Sequence, residues 1–144
     1  GQVEFWNTAP AGFDLSGVRV LAANTGYQVD LAKASMLGDP AALVSVDLCR
    51  DGGGLLEGRA RAAVARDGTL HGLGGWFDAE MAPGIHMTNS PLAERRISRR
   101  QIYFPVDRPV AVSAGDIVDV RMLIRPQALV VNWTVEVLER GTSA

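Results

Sequence analysis

Charged side chains cluster at two places where they could bind an ion or a charged substrate. Asp78 and Glu80 lie two residues apart in HGLGGWFDAEM, a run typical of a strand. Alternate residues of a strand face the same side, so the two carboxylates form either an acid pair for cation recognition or a solvated strand face. The second cluster is ERRISRRQ, with arginines at 95, 96, 99 and 100. This run is either a solvated loop or a site for an anion or acidic partner, because guanidinium forks suit carboxylate and phosphate.

Other catalytic patterns are missing from the sequence. His71, His86 and Cys49 lack the ligand spacing of a structural zinc site, and no serine lies in a G-x-S-x-G turn. The three glycines at 52–54 match no phosphate-binding motif and indicate a loop. Cys49 is the only cysteine, which excludes an internal disulfide and predicts a small buried hydrophobe.

Composition narrows the class of protein. The chain has 144 residues, of which 47% are hydrophobic and 21% charged, enough for one ordinary globular core. A net charge of −2 disfavours a nucleic-acid partner, since phosphate neutralisation needs clustered Lys and Arg. The sequence has no apolar run of membrane-spanning length and no signal-peptide pattern, so we expect no membrane partner and a cytoplasmic location.

The dominant hydrophobic period is two, which is typical of half-buried strands. Alternating runs occupy 43–50, 56–65 and 71–80, and the Asp67-Gly68 pair predicts a two-residue hairpin between the last two. Two further antiparallel strands are predicted in RPVAVSAGDIVDVRML and ALVVNWTVEVLER, with prolines 105, 109 and 126 at the boundaries of runs. Seven or eight strands at this spacing predict an all-β fold, an antiparallel barrel or sandwich. Its expected large core residues are Trp76, Phe104 and Trp133.

The N-terminal segment is the exception. In GFDLSGVRVLAANTG, Asp14 is a candidate N-cap, Phe13 can pack on Val18, and the following apolar residues have helical spacing. Phe5 and Trp6 precede this helix and either fold back on the barrel or contact a partner. LAKASMLGDPAAL predicts one or two short helical turns. We therefore expect a helical arm over 1–26 and a β-barrel domain over 27–144.

Several motifs together resemble one known family. FWNTAPAGFDLS is similar to the dimerisation arm of the protein arginine methyltransferases, and SVDL to a Val-Asp-Leu/Ile strand of that family. HGLGGWFDAEM resembles its His-Ala-Leu-x-x-Trp/Tyr-Phe-Asp/Asn strand, and MTNSP stands where the family has Ser-Thr-Ser-Pro. RRQIYFPVDRPVAVSAGD resembles its Lys-Gln strand and the turn that follows. The chain thus resembles the C-terminal β-barrel region of this family over nearly its whole length.

The resemblance implies a barrel packed against an upstream Rossmann-type methyltransferase domain in a homodimer. That domain would bind S-adenosylmethionine, so we expect no cofactor and no activity from this chain alone. The arm would contact a second subunit, and the residues implied for that contact are Phe5, Trp6, Phe13 and Leu15.

One departure from the family lies in the arginine-rich loop. The family has Thr-His-Trp before its Lys-Gln strand, where this chain has Ile97, Ser98 and Arg99. Serine cannot carry the positive charge of the histidine that it replaces, and Arg99 would repel a cationic substrate. The resemblance therefore implies either a divergent substrate, such as a small molecule or another amine, or an inactive parent. The substrate-side candidates are Ser98, Arg99, Arg100, Asp78 and Glu80.

Two functions of different classes follow. In the first, the chain is the non-catalytic C-terminal barrel of an arginine-methyltransferase-like enzyme and serves substrate placement and dimerisation. In the second, it is a free-standing barrel that binds or oligomerises without catalysis.

Overall fold

The computed structural model describes residues 16–51 and 53–140. This part of the chain holds one α-helix and eight strands, joined by turns and two 3₁₀ helices, Lys33–Ser35 and Pro126–Ala128. The helix α1 spans Ser16–Ala23. The strands are β1 (Tyr27–Val29), β2 (Leu56–Ala63), β3 (Gly68–Gly75), β4 (Asp78–Ala82), β5 (Ile85–Thr88), β6 (Gln101–Val112), β7 (Ile117–Arg125) and β8 (Val130–Leu138). The predictions of an all-β fold, an N-terminal helix and a short helical turn after β1 are confirmed.

The strands form three sheets within the described residues, in the orders β1-β6-β3, β2-β7-β8 and β4-β5. The registers between β1 and β6, β2 and β7, β4 and β5, and β7 and β8 are all antiparallel. These sheets are not closed into a barrel. No helix in 16–51 or 53–140 has the length and apolar character that crossing a bilayer needs.

The described residues divide into two compact units. The first unit comprises 16–36 and 71–109, and the second comprises 37–70 and 110–140 without residue 52. The first holds β1, β4 and β5, and the second holds β2, β7 and β8. The predicted division into an arm (1–26) and a barrel (27–144) stays a prediction.

The core of the second unit follows the period-two pattern. Val118, Val120 and Met122 on β7 keep only 6–7% of their surface exposed. On β2, half-buried uncharged residues alternate with exposed residues, most of which are charged. Central β7 is covered by neighbours on both sides, whereas β8 lies at the edge of its sheet. For this reason Trp133 on β8 is half-buried rather than fully buried.

The other two predicted core aromatics, Trp76 and Phe104, are also half-buried. Trp76 lies in the break between β3 and β4, which divides the predicted 71–80 strand in two. Phe104 lies beside Gly72, where a Cβ would come within 2.5 Å of the Phe104 carbonyl oxygen. A glycine at position 72 therefore lets the two backbones approach closely.

The prediction of a two-residue hairpin at Asp67-Gly68 is wrong. Strands β2 and β3 belong to different sheets, and φ at Gly68 is not positive, as a type I′ turn would need. At the end of β2, Val64 instead exchanges hydrogen bonds with the turn before β7: its N–H donates to the Asp116 carbonyl, and its carbonyl accepts from Gly115. Pairing with β7 thus outcompetes the local turn.

The strand predicted over 43–50 is also wrong, because two aspartate side chains supply local partners for the backbone. Asp47 accepts a hydrogen bond from the Cys49 N–H at 2.9 Å, and Asp51 accepts one from the Asp47 N–H at 2.7 Å. Such side-chain bonds favour a turn over a ladder. Cys49 is exposed, so its predicted burial is wrong as well.

Prolines 105 and 109 lie within β6 rather than at its ends. β1 pairs only with residues 101–103 of β6, so neither proline needs to donate to β1. Pro105 is the largest side chain in the described residues with less than 2% exposure.

Candidate functional site

The hairpin of β4 and β5 carries the predicted acid pair. The strands pair Asp78 with Thr88 and Glu80 with His86, and the register shifts between Glu80 and Ala82 before the turn at Gly84. Gly84 has a φ of 76°, a conformation that glycine adopts without strain. Asp78 and Glu80 consequently lie on one exposed face of the hairpin.

Both carboxylates of this acidic face have local partners and remain open to solvent. Asp78 Oδ1 lies 3.2 Å from His86 Nδ1, and both side chains are more than half exposed. Glu80 Oε1 accepts a hydrogen bond from the Gly84 N–H at 3.3 Å. The described residues contain no group of three or more His, Cys, Asp or Glu side chains that could hold a metal ion. Two adjacent carboxylates suit a cationic group such as a guanidinium.

Thr88, Asn89 and Ser90, the TNS segment at the end of β5, close the base of the hairpin. The Thr88 hydroxyl donates to the Phe77 carbonyl at 2.6 Å and accepts from the Ser90 N–H at 3.0 Å. Asn89 Oδ1 accepts from the Phe77 N–H at 3.0 Å. These bonds fix the point where the chain leaves β5 and enters the arginine-rich loop.

Asn89 and Gln101, the amide pair, join the two ends of that loop. Asn89 and Gln101 are 4% and 3% exposed. Asn89 Nδ2 donates to the Arg100 carbonyl at 3.0 Å, and Gln101 Nε2 donates to the Asn89 carbonyl at 2.6 Å. Gln101 Oε1 accepts from the Leu31 N–H at 2.9 Å. The amide pair therefore ties the hairpin, the loop, β6 and the segment after β1 together.

The loop itself carries Ser98, Arg99 and Arg100, all exposed. The Ile97 N–H donates to the Thr88 carbonyl at 2.9 Å, so the loop runs beside the base of the hairpin. Arg99 N–H donates to the Ile97 carbonyl at 2.9 Å across a tight turn at Ser98. Arg100 Nε lies 3.4 Å from Asp30 Oδ2, both on exposed side chains. The structure thus brings the loop and hairpin together through their backbones, while His86 and Asp30 are the side-chain partners of Asp78 and Arg100.

Comparison with known proteins identifies the family. The sequence model of the arginine methyltransferase oligomerization subdomain matches residues 1–134. The chain belongs to this family. The family match confirms the resemblance to the C-terminal region of the protein arginine methyltransferases.

One curated sequence and one solved structure are similar to this chain. One is the arginine N(omega)-methyltransferase of Streptomyces achromogenes subsp. streptozoticus, 31% identical over 117 residues, which cover 80% of this chain and 32% of the relative. The other is the Trypanosoma brucei PRMT1 enzyme–prozyme heterotetrameric complex with AdoHcy, with a TM-score of 0.71 and 15% identity. This match covers 94% of this chain and 50% of that chain, and it shows a shared fold. This chain thus spans about a third of the Streptomyces protein and half of the matched chain in the Trypanosoma brucei complex.

The oligomerization subdomain holds a second polar cluster that the sequence did not single out. On the β2–β7 pair, Asp119 is 4% exposed and accepts hydrogen bonds from two arginines. Arg59 donates through Nε (3.1 Å) and Nη2 (2.7 Å), and Arg61 donates through Nε (2.8 Å). These bonds hold the pKa of Asp119 well below its usual range, and the same contact raises the pKa of Arg59. We call Arg59, Arg61 and Asp119 the ion cluster.

Sequence reasoning missed the amide pair and the ion cluster for a common reason. Their side chains occupy strand ends or polar faces, where solvent exposure is the default expectation. The available signal was an aspartate with β-branched neighbours in IVDV, opposite alternating arginines in EGRARA. The predicted arm residues Phe5, Trp6, Phe13 and Leu15 lie outside the described residues.

Proposed function

We propose that this chain is the C-terminal substrate-placing and dimerising part of an S-adenosylmethionine-dependent, arginine-methyltransferase-like enzyme. The observation that carries the proposal is the connection of the acidic hairpin face to the arginine-rich loop through the buried amide pair. Membership of the oligomerization family supports it. The protein works in the cytoplasm as a homodimer.

The cofactor belongs to an upstream Rossmann-type domain and not to this chain. Nucleotide cofactors bind where a parallel strand leads through a glycine turn into a helix. In the described residues every strand pair with an assigned register is antiparallel, and α1 precedes all the strands. These residues do not fit such a cofactor, and this chain alone turns over no substrate.

The substrate side is formed by the hairpin and the loop. Asp78 and Glu80 attract a cationic group of the substrate, because their carboxylates share one exposed face. Ser98, Arg99 and Arg100 lie on the loop that starts from the base of this hairpin. Arg99 narrows the choice of substrate by repelling cations that approach the loop, and Ser98 offers a hydroxyl where the family has an imidazole.

The arm makes the second contribution, which is assembly. Phe5, Trp6, Phe13 and Leu15 contact a second subunit, since large apolar side chains carry most of the binding energy at such interfaces. In the longest natural protein that contains this chain, Trp6→Ala is expected to shift the mass measured by light scattering from dimer toward monomer. An unchanged mass would contradict the role of the arm.

The substrate role is tested in the same longer protein. We expect calorimetry to detect S-adenosylmethionine binding there and not with residues 1–144 alone. Asp78→Asn combined with Glu80→Gln should raise KM for an arginine-containing peptide about tenfold, with kcat within about twofold of the parent. Asp39→Asn combined with Glu57→Gln is the control, because both side chains are exposed and neither lies on the hairpin or the arginine-rich loop. An unchanged KM, or an equal rise in the control, would remove the acidic face from the substrate site.

A further inference from the structure

Strand β8 is an outer strand of its sheet. In the order β2-β7-β8 it pairs with β7 over its full length, Val130–Leu138, and has no second strand beside it among the described residues. It is nine residues long and contains no proline. Natural proteins usually block such an edge, because its outward N–H and C=O groups can pair with another strand.

The apolar face of β8 is incompletely covered. Val131, Val135 and Val137 are half-buried, whereas the neighbouring face of β7 keeps only 6–7% exposure. A further strand beside β8 would cover these valines in the way that β8 and β2 cover β7. The edge therefore has both backbone groups and apolar surface to offer a partner strand.

The sequence of β8 is complementary to itself when two copies run antiparallel about Thr134. In that register Trp133 faces Val135 and Val131 faces Val137, so apolar residues meet only apolar residues. On the opposite face Thr134 meets Thr134 and Asn132 meets Glu136. No charged residue meets a like charge, and a one-residue slip would place the two faces out of phase.

We propose that β8 pairs with β8 of a second copy of this chain, antiparallel and centred on Thr134, to form a continuous six-stranded sheet. The contact is isologous, as a two-fold dimer requires. It is independent of the proposed arm contact and goes beyond the proposed function, since a copy can use its arm for one neighbour and β8 for another. The family description as an oligomerization subdomain agrees with it.

Disulfide capture tests the register directly. In a Cys49→Ser background, which removes the exposed native thiol, Thr134→Cys should give a disulfide-linked dimer on mild oxidation, because the two side chains lie directly opposite. Asn132→Cys alone should stay monomeric on a non-reducing gel, while a mixture of Asn132→Cys and Glu136→Cys chains should crosslink. No crosslink by Thr134→Cys, or equal crosslinking by Asn132→Cys alone, would overturn the proposal.

Charge substitution tests the same contact in solution. Thr134→Lys puts two like charges at the two-fold axis and should weaken the dimer at least about tenfold in sedimentation experiments on the full chain. Thr134→Glu should weaken it less, because Arg121 is the β7 neighbour of this position. A mixture of the Lys and Glu chains should restore the dimer.

The control is Thr69→Lys, which makes the same change at an exposed position on β3. Circular dichroism of each variant reports whether the fold is retained. A loss of mass with Thr134→Lys supports the β8 contact whether or not Trp6→Ala also lowers the mass, because the two contacts are separate. An unchanged mass with Thr134→Lys would reject the β8 dimer. A wild-type chain that stays monomeric at all concentrations would also reject it.

Discussion

The amide pair of the first unit and the ion cluster of the second bury polar side chains by different means. Asn89 and Gln101 are neutral, and their side chains bond four backbone groups: the N–H groups of Phe77 and Leu31 and the carbonyls of Arg100 and Asn89. Asp119 is charged, and its partners are two guanidinium groups on the neighbouring strand. Neutral amides hold loops in place at any pH, whereas a carboxylate holds strands only while it is ionised. The pair and the cluster should therefore respond differently to mutation, pH and salt.

The largest expected effect is the loss of the amide pair. Gln101→Ala leaves the Leu31 N–H and the Asn89 carbonyl without their buried partner, and should lower the free energy of unfolding by about 3 kcal/mol. Urea denaturation at pH 5, 7 and 9 measures it, and the loss should be the same at each pH.

Gln28→Ala is the matched control, because the same side chain is exposed on β1. It should change the free energy of unfolding by less than about 0.5 kcal/mol. A similar loss in both variants would mean that burial of the Gln101 amide contributes nothing of its own.

A smaller effect with a distinct pH signature is expected from Asp119→Asn. Because the pKa of Asp119 is lowered in the folded state, its ionised form stabilises the protein above the unfolded pKa of about 3.9. That contribution is lost as the pH falls below this value toward the lowered folded pKa. The urea midpoint of the variant should lie below that of the parent at pH 7, and the difference should shrink steadily below pH 4.

Asp39→Asn is the control for this titration, since its carboxylate is exposed. Its urea midpoint should stay close to that of the parent at pH 7. A difference between Asp119→Asn and the parent that stays constant from pH 7 to pH 2.5 would assign the role of Asp119 to shape rather than charge.

The smallest expected effect concerns the surface pair of Arg100 and Asp30. Both side chains are exposed, so Arg100→Ala should lower the free energy of unfolding by less than about 0.5 kcal/mol. Adding 0.5 M NaCl should remove the difference between this variant and the parent. Thermal denaturation with and without salt measures this loss of stability. Arg99→Ala, at the adjacent exposed position, is the control. A salt-resistant loss above about 1 kcal/mol would show that this ion pair, as well as the amide pair, holds the loop.

Particular residues show how far sequence reasoning reached. The alternation in LEGRARAAVA and ALVVNWTVEVLER predicted β2 and β8 and the faces that they expose, because period two is a local property. The same rule failed over 43–50, where the carboxylates of Asp47 and Asp51 bind the backbone and favour a turn. Asp78 and Glu80 were correctly placed on one face of a strand, but their pairing with β5 and with His86 was not foreseen.

The sequence by itself determined the class of fold, the positions of most strands along the chain and the family. These depend on local hydrophobic periods and on motifs read along the chain. Only the tertiary structure decided that β2 pairs with β7 rather than β3, and that Asn89, Gln101 and Asp119 are buried. The physical reason is that a polar side chain is buried only where partners satisfy it. Those partners lie far along the chain, as Leu31 lies 70 residues from Gln101 and Arg59 lies 60 from Asp119.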